Sequence, residues 1–475
     1  MIPKPSSCIG CPLYHHGKYF TPDTIIPDSK VLFIAQNPGP DEEAGHKLIK
    51  RHWHGSQYMD EHQQVQPAPL IGATGQLFDK QFLPLTGLKR SEVSVANAIR
   101  CRPGHSLGLR ADDLPKITST MKLEHSKADI VNALKHCKAA HLHIPSSVKL
   151  IVTMGRYAMF AMTGIQNEES EYGHKQGVME SWRGYGVSVA DYNQFNTVDT
   201  SYYHDLQSDK QVFFAMHIAA LFKGQNKRYY HATLQDFYKI KHLLSKQWPI
   251  ALPTWHSQPP AVWPRYAAFD TEYNPVENIL HRWSLCDTAN NLYCVEAEDT
   301  SDVRIPVAAG STVLIQNALA DIGYLNLITD FTKVNVEDMM LAHSVLWTGE
   351  PHSLNYIASK YGAFNRYKHL SGNSPQLYSA LDAYEPMHMW KSHFIPEFKK
   401  DQQSWQIYKR YRLPLIKIIY KAQSTGARVD TIRLSEVQRI LQDKLYNLQQ
   451  QAQQITGDDN FNLGGRKGMM EKIYE

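Results

Sequence analysis

The sequence has 475 residues, with 50 Lys and Arg against 46 Asp and Glu. That length argues for two or three domains, and the near-balanced charge names no nucleic-acid or membrane partner by itself. No apolar run reaches the roughly 18 residues of a membrane helix, the opening Met1-Ile-Pro-Lys-Pro-Ser-Ser7 has no apolar signal core, and six cysteines in a chain this long do not make a disulfide scaffold, so a chain of the reducing cytoplasm is expected.

Cys8 and Cys11 form a CxxC near the start; Cys101 follows in Asn97-Ala-Ile-Arg-Cys-Arg-Pro103, and Cys137 in Leu134-Lys-His-Cys. Thiolates at such positions suit zinc or an iron–sulfur centre. Between them the chain reads as strands that run into turns. Val31-Leu-Phe-Ile-Ala-Gln-Asn37-Pro-Gly-Pro is a buried strand entering a tight turn. An insertion at 46–68, rich in His and Gln, precedes the loop and helix start Pro69-Leu70-Ile-Gly-Ala-Thr-Gly-Gln-Leu-Phe-Asp79. Val93-Ser-Val-Ala-Asn97 and Leu150-Ile-Val-Thr-Met-Gly155 are further strands, and Phe213-Phe-Ala-Met-His217 predicts a strand ending in histidine.

This ordered series resembles the uracil-DNA glycosylase superfamily, above all its 4Fe–4S branch, over nearly all of residues 1–245. The resemblance implies that Cys8, Cys11, Cys101 and Cys137 hold a 4Fe–4S cluster, with zinc the lesser alternative. It implies that Asn97 reads the polar edge of a flipped base, that Leu70 stands where an aromatic ring would stack on it, that Asn37 positions water, and that His217 stabilises the departing base. Several positions depart from the branch. Gln36 replaces its usual glutamate, His217-Ile-Ala replaces His-Pro-Ser, and the gap from Cys101 to Cys137 is long. Two readings therefore stand: excision of uracil or a modified uracil, or a domain that only binds DNA or senses a base.

Residues 246–264 carry five prolines and predict an extended linker. Beyond it come three acidic segments: Phe269-Asp270-Thr271-Glu272, Asn317-Ala-Leu-Ala-Asp321 and Tyr378-Ser-Ala-Leu-Asp382. Asp270 and Glu272 alternate along a strand and share a face, while Tyr378 and Asp382 are four apart and share a helix face. Cys286 and Cys294 fall in strands, where a buried free thiol is expected. Four carboxylates and a tyrosine in this order suit a 3′–5′ exonuclease with two Mg2+ or Mn2+ on oxygen ligands. Acidic residues also cap strands and helices, so the inference rests on all three segments together.

Residues 265–400 resemble the proofreading exonuclease domain of family A DNA polymerases, in the subclass with a tyrosine in the third segment. The resemblance implies that Asp270, Glu272, Asp321 and Asp382 bind the metals and that Tyr378 orients the attacking water. Asp338-Met-Met-Leu-Ala-His343 and His352-Ser-Leu-Asn-Tyr-Ile-Ala358 then belong to the scaffold. Residues 401–475 predict helices, with Leu434, Val437, Leu441, Leu445 and Leu448 as an apolar stripe. They resemble the start of the thumb in the same family, through Thr425-Gly-Ala-Arg-Val-Asp430 and Asp459-Asn-Phe-Asn-Leu463.

The implied fold class is α/β: a glycosylase-like α/β/α sandwich, an RNase H-like α/β exonuclease domain and a helical tail. The implied protein is the N-terminal half of a phage-type family A replicative polymerase, truncated or split. It would act on single-stranded 3′ ends and primer-template DNA, and a separate palm–fingers chain would complete it. A uracil-repair enzyme with an accessory exonuclease and a non-catalytic DNA-binding subunit are the alternatives.

Overall fold

The computed structural model describes residues 1–464 except 18, 55–56, 103–126, 165–177, 189–209, 223, 245–252, 275, 301–303, 364–365, 372–373 and 463. It is a mixed α/β structure with two five-stranded sheets and a helical C-terminal region.

The first sheet has the strand order Val93–Asn97, Val31–Ala35, Leu150–Met154, Gln211–Ala215, Gly186–Ser188. The first four strands run parallel, and Gly186–Ser188 is antiparallel to its neighbour. The first three strands are buried at every position, because a parallel sheet with crossover helices is covered on both faces. Alternate side chains enter opposite layers: Leu32, Ile34, Ala96 and Ile151 on one side, Val31, Phe33, Val95 and Val152 on the other. The strand expected to end at His217 ends at Ala215, and His217 opens the short helical turn that follows. The 46–68 insertion is largely a β-hairpin, His46–His54 against Gln57–Gln64. Its base is fixed by the Leu48 N–H, which donates to Ile71 O at 3.0 Å. Of the long gap between Cys101 and Cys137, residues 103–126 lie outside the described residues.

The second sheet has the order Leu292–Glu296, Ile279–Asp287, Tyr266–Asn274, Ser311–Ile315, Val334–Asp338. The first three strands are an antiparallel meander, and the last three are mutually parallel. The helix Pro375–Met389 packs on the meander. Cys286 and Cys294 are buried in the apolar layer beneath it, with Ala380 and Ala383. Part of the expected linker, 246–252, lies outside the described residues. The remainder is docked. The His256 N–H donates to Leu292 O at 2.8 Å, and the Cys294 N–H donates to His256 O at 2.9 Å. Trp263 is buried against Phe269. Burial of a large indole ties this stretch to the sheet.

Two compact units emerge, Met1–Leu415 and Ile416–Glu475. The first extends past the expected boundary at residue 400 because Tyr408 is buried and its hydroxyl accepts the Asp338 N–H at 2.9 Å. Lys409 also pairs with Glu337 at 2.7 Å. The second unit is dominated by the helix Thr431–Thr456, capped by the Asp430 carboxylate and closed by Gly457 in the left-handed region (φ 63°). Leu434, Leu441, Leu445 and Leu448 of its apolar stripe are exposed. Leu463 and residues 465–475 lie outside the described residues. No helix among the described residues is long and apolar enough to cross a membrane.

Within the first unit, a buried ion pair of the first sheet's body reaches the body built on the second sheet through a hydrogen bond to Ser359. Arg183 donates to both carboxylate oxygens of Asp236, at 3.0 and 2.5 Å, and to Ser359 Oγ at 2.9 Å. The side chains of the pair are 1% and 0% exposed. Beside them the Tyr185 hydroxyl donates to Asn355 O at 2.8 Å. Arg183→Met leaves Asp236 buried without its partner and is expected to cost about 3–5 kcal/mol. Chemical denaturation checks this; a loss below about 1 kcal/mol, as for an exposed pair, would show that Asp236 does not depend on Arg183 in the folded chain.

Candidate functional site

Three of the acidic side chains converge. Asp270 and Glu272 project from one strand and Asp382 from the helix across it, and each offers an oxygen within 4.8 Å of the others. Asp270 Oδ2 is buried and has no hydrogen-bond partner. An orphaned carboxylate oxygen facing two further carboxylates is an unstable arrangement without a cation. Burial, followed by the Asp382 charge, pushes Asp270 well above the usual carboxylate range. Burial and the same neighbour push Glu272 up to about 7. A hard oxygen donor set of this kind fits Mg2+ or Mn2+.

Asp321 lies next to this trio but outside it. It sits in the first turn of the helix Ala318–Ile328, after Asn317 in the left-handed region. Its Oδ1 accepts the Thr271 N–H at 3.2 Å and the Thr271 hydroxyl. Burial pushes it up to about 7 despite these hydrogen bonds, with Asp338 and Asp382 adding to the rise. Tyr378 lines a cleft of about 910 Å³ with Glu272, Tyr273, His281, Arg282 and Gln376. Burial and the adjacent Asp382 push its hydroxyl well above the usual range, so it stays protonated.

Two side chains of this site have no signal in the sequence. The Tyr367 hydroxyl donates to Asp382 Oδ1 at 2.7 Å. Lys368 Nζ donates to both Asp382 oxygens at 2.5 Å and to the Tyr378 hydroxyl at 3.2 Å. No periodicity in the sequence around them marks which way either side chain points.

Asn97, Asn37 and His217 lie at the C-terminal ends of the first sheet's parallel strands, where open α/β sheets bind ligands, whereas Leu70 ends none of these strands. Asn97 ends its strand opposite Ala35. It is fully buried, and neither amide atom has a hydrogen-bond partner. Asn37 is half-buried two residues beyond the neighbouring strand, and its Nδ2 donates to Pro38 O at 3.1 Å. Gly155 (φ 87°) brings the third strand end close: a Cβ there would lie 2.3 Å from Gln36 Nε2 and 3.0 Å from His217 Cβ. The loops therefore meet where a side chain at 155 could not fit. Leu70 is buried in an apolar core layer, and its backbone is left-handed (φ 55°). Glu42, which sequence reasoning missed, pins two loops together. Its carboxylate accepts the Gly39 N–H at 3.0 Å and the Leu70 N–H at 2.9 Å. A glutamate in the first turn of the helix opened by Pro40 was the available cue.

The four cysteines line one cavity together with Lys4, Tyr14, Phe20, Arg100 and His141. No three of their sulfurs lie within 4.8 Å of one another. Arg100 donates its backbone N–H to Cys137 Sγ at 3.4 Å, and the Arg100 guanidinium is paired with Asp23 at 2.7 Å. Burial pushes the Cys101 thiol up to about 12.

Residues 22–239 match the model of the Uracil DNA glycosylase superfamily. The type-4 uracil-DNA glycosylase of Sulfurisphaera tokodaii is 23% identical over 152 residues, which is 32% of this chain and 51% of that protein. That of Saccharolobus solfataricus is 20% identical over 183 residues, 38% of this chain and 67% of the relative. The chain thus spans about half the length of the first of these relatives. Among solved structures, Brucella melitensis NrnC with bound Mg2+ is 16% identical, over 35% of this chain and 90% of that one. Its TM-score is 0.28, too low a likeness to bear on function.

The raised carboxylates set a pH dependence. In the metal-free chain Glu272 and Asp321 hold protons up to about 7, whereas unfolded carboxylates release theirs near pH 4. The folded state binds more protons between these limits, so metal-free stability falls as pH rises from about 4 to about 7. A cation binds the ionised forms, so Mn2+ affinity is expected to rise steeply from about pH 6 to about pH 8. Calorimetric titration with Mn2+ at both pH values checks this; equal affinities would mean that these groups do not share the ion.

Proposed function

We propose that this chain is a DNA-processing enzyme that removes nucleotides from DNA 3′ ends and carries a second, base-reading site. The convergence of Asp270, Glu272 and Asp382 around an orphaned carboxylate oxygen carries the reading. Bound Mg2+ or Mn2+ supplies a water of lowered pKa and charge to stabilise the leaving oxygen. Asp270, Glu272 and Asp382 hold the ions, and Asp321 completes the set from its place on Thr271. Tyr378 keeps its proton, so it orients the attacking water by a hydrogen bond and does not serve as the base.

The first domain reads a base in its pocket. The unpartnered amide of Asn97 favours this, because both its donor and its acceptor are free to match the polar edge of a pyrimidine. Asn37 directs water toward the sugar carbon, and His217 meets the charge left on a departing base. Cys8, Cys11, Cys101 and Cys137 hold a 4Fe–4S cluster that ties the N-terminal segment to the helix Lys127–His141. The order of base-reading domain, nuclease and helical tail supports a place for the chain in a family A replicative polymerase.

A labelled single strand containing one uracil tests both sites. With Mg2+, stepwise release of 3′ nucleotides is expected, and Asp270→Ala should lower its rate at least ~10³-fold while leaving the fold intact by circular dichroism. A mutant as active as the parent would reject the nuclease assignment. In EDTA, alkali-labile cleavage at the uracil that is lost in Asn37→Ala identifies excision. DNA that is bound yet uncut identifies a base-reading domain without chemistry.

A further inference from the structure

We infer that Lys368 is a positioning residue of the nuclease site, and that its place is set from the first sheet's body through Arg366. The inference rests on the proposed nuclease reading, and no resemblance assigned either residue a role.

Three consecutive residues make the connection. The Arg366 guanidinium stacks 4.0 Å from the centre of the Trp182 ring, and its Nε donates to Ser181 O at 3.2 Å. Ser181 and Trp182 close the helix Val178–Trp182, which packs on the first sheet's Gln211–Ala215 strand. Trp182 itself is 2% exposed and edge-on to Phe214 of that strand. Arg366 is therefore held by the first body. The next residue, Tyr367, donates to Asp382, and the one after it, Lys368, grips Asp382 and Tyr378. Lys368 Nζ also lies 4.6 Å from the centre of the Tyr378 ring and 5.2 Å from that of Tyr367.

Lys368 thus does two things. Its charge offsets one carboxylate of a crowded acidic group, and its three N–H donors fix the direction of both Asp382 and the Tyr378 hydroxyl. It acts through those groups, not on the substrate. Two residues of backbone leave little slack, so a shift of Arg366 passes to Lys368.

Lys368→Met in the full chain separates this role from a structural one. Removing the ammonium makes Asp382 a stronger ligand, so Mn2+, followed by its paramagnetic resonance, should bind at least ~3-fold tighter. Nucleotide release should nevertheless fall ~10-fold or more in kcat, because the aim of Asp382 and Tyr378 is lost. A merely structural defect would weaken Mn2+ binding and activity together. Lys368→Arg, which keeps the charge, should restore the parental Mn2+ affinity. Arg366→Ala, which touches neither carboxylate, should shift Mn2+ affinity in the same direction as Lys368→Met. Lys368→Gln repeats the measurement if Lys368→Met does not fold.

Unchanged or weaker Mn2+ binding in the neutral variants overturns the positioning role, and parental affinity in Arg366→Ala overturns its link to the first body. Mn2+ binding needs no turnover, so the two readings fail separately. A parent chain that releases no nucleotides but shows the expected affinity shift loses the nuclease reading and keeps the positioning role.

Discussion

Charge held out of water must meet opposite charge, and the three polar centres of the first unit are organised by that requirement. Arg183 and Asp236 satisfy it internally, with a nearly fully buried pair that also holds Ser359. The acidic trio does not satisfy it. Asp270, Glu272 and Asp382 face one another, Asp321 adds a fourth carboxylate nearby, and the one ammonium of Lys368, paired with Asp382, opposes the rise at Asp270 and Glu272 without cancelling it. The cysteine cavity is a third case, in which burial, joined by the charge of neighbouring cysteines, opposes the thiolate forms of Cys8 and Cys101. A closed pair cancels its own charge, whereas an open set of like charges leaves its repulsion unrelieved.

The first sheet shows why strand ends become sites. Its parallel strands are buried along their length, so their side chains are committed to packing. At the C-terminal ends that commitment stops, and the chain turns through Gln36-Asn37, Asn97, Gly155 and Met216-His217. Asn97 is the exception there: it is fully buried, and neither atom of its amide has the hydrogen-bond partner that buried polar groups nearly always find. Leu70 carries a related strain. It adopts a left-handed backbone, uncommon for a residue with a side chain, and a Glu42 hydrogen bond holds it there.

Docking between the two bodies is more specific than a proline-rich connection implies. The docked part of that stretch adds an edge to the second sheet and buries Trp263. The Arg366-Tyr367-Lys368 run then carries the contact from Trp182 to Asp382. The acidic site is therefore bounded on one side by Lys368, two residues from an anchor, Arg366, that rests on the other body. The exposed leucines of the helix Thr431–Thr456 belong to the second compact unit, and their spacing of three and four already marks them as one stripe.

What the sequence determined is what local patterning can encode. Apolar runs placed the buried strands Val31–Ala35, Val93–Asn97 and Leu150–Met154 in both position and type. Alternation put Asp270 and Glu272 on one face, and the four-residue spacing put Tyr378 with Asp382. Those rules act within about five residues, the reach of one turn or one pleat. The tertiary structure decided everything that joins distant segments. It made a trio of Asp270, Glu272 and Asp382 and left Asp321 on Thr271. It brought Lys368 onto Asp382, Glu42 onto Leu70, and Arg183 onto Asp236 and Ser359. Such contacts span from 14 to 176 positions of chain. No periodic signal announces them, because a buried ion pair is specified by where two backbones meet and not by the residues flanking either partner.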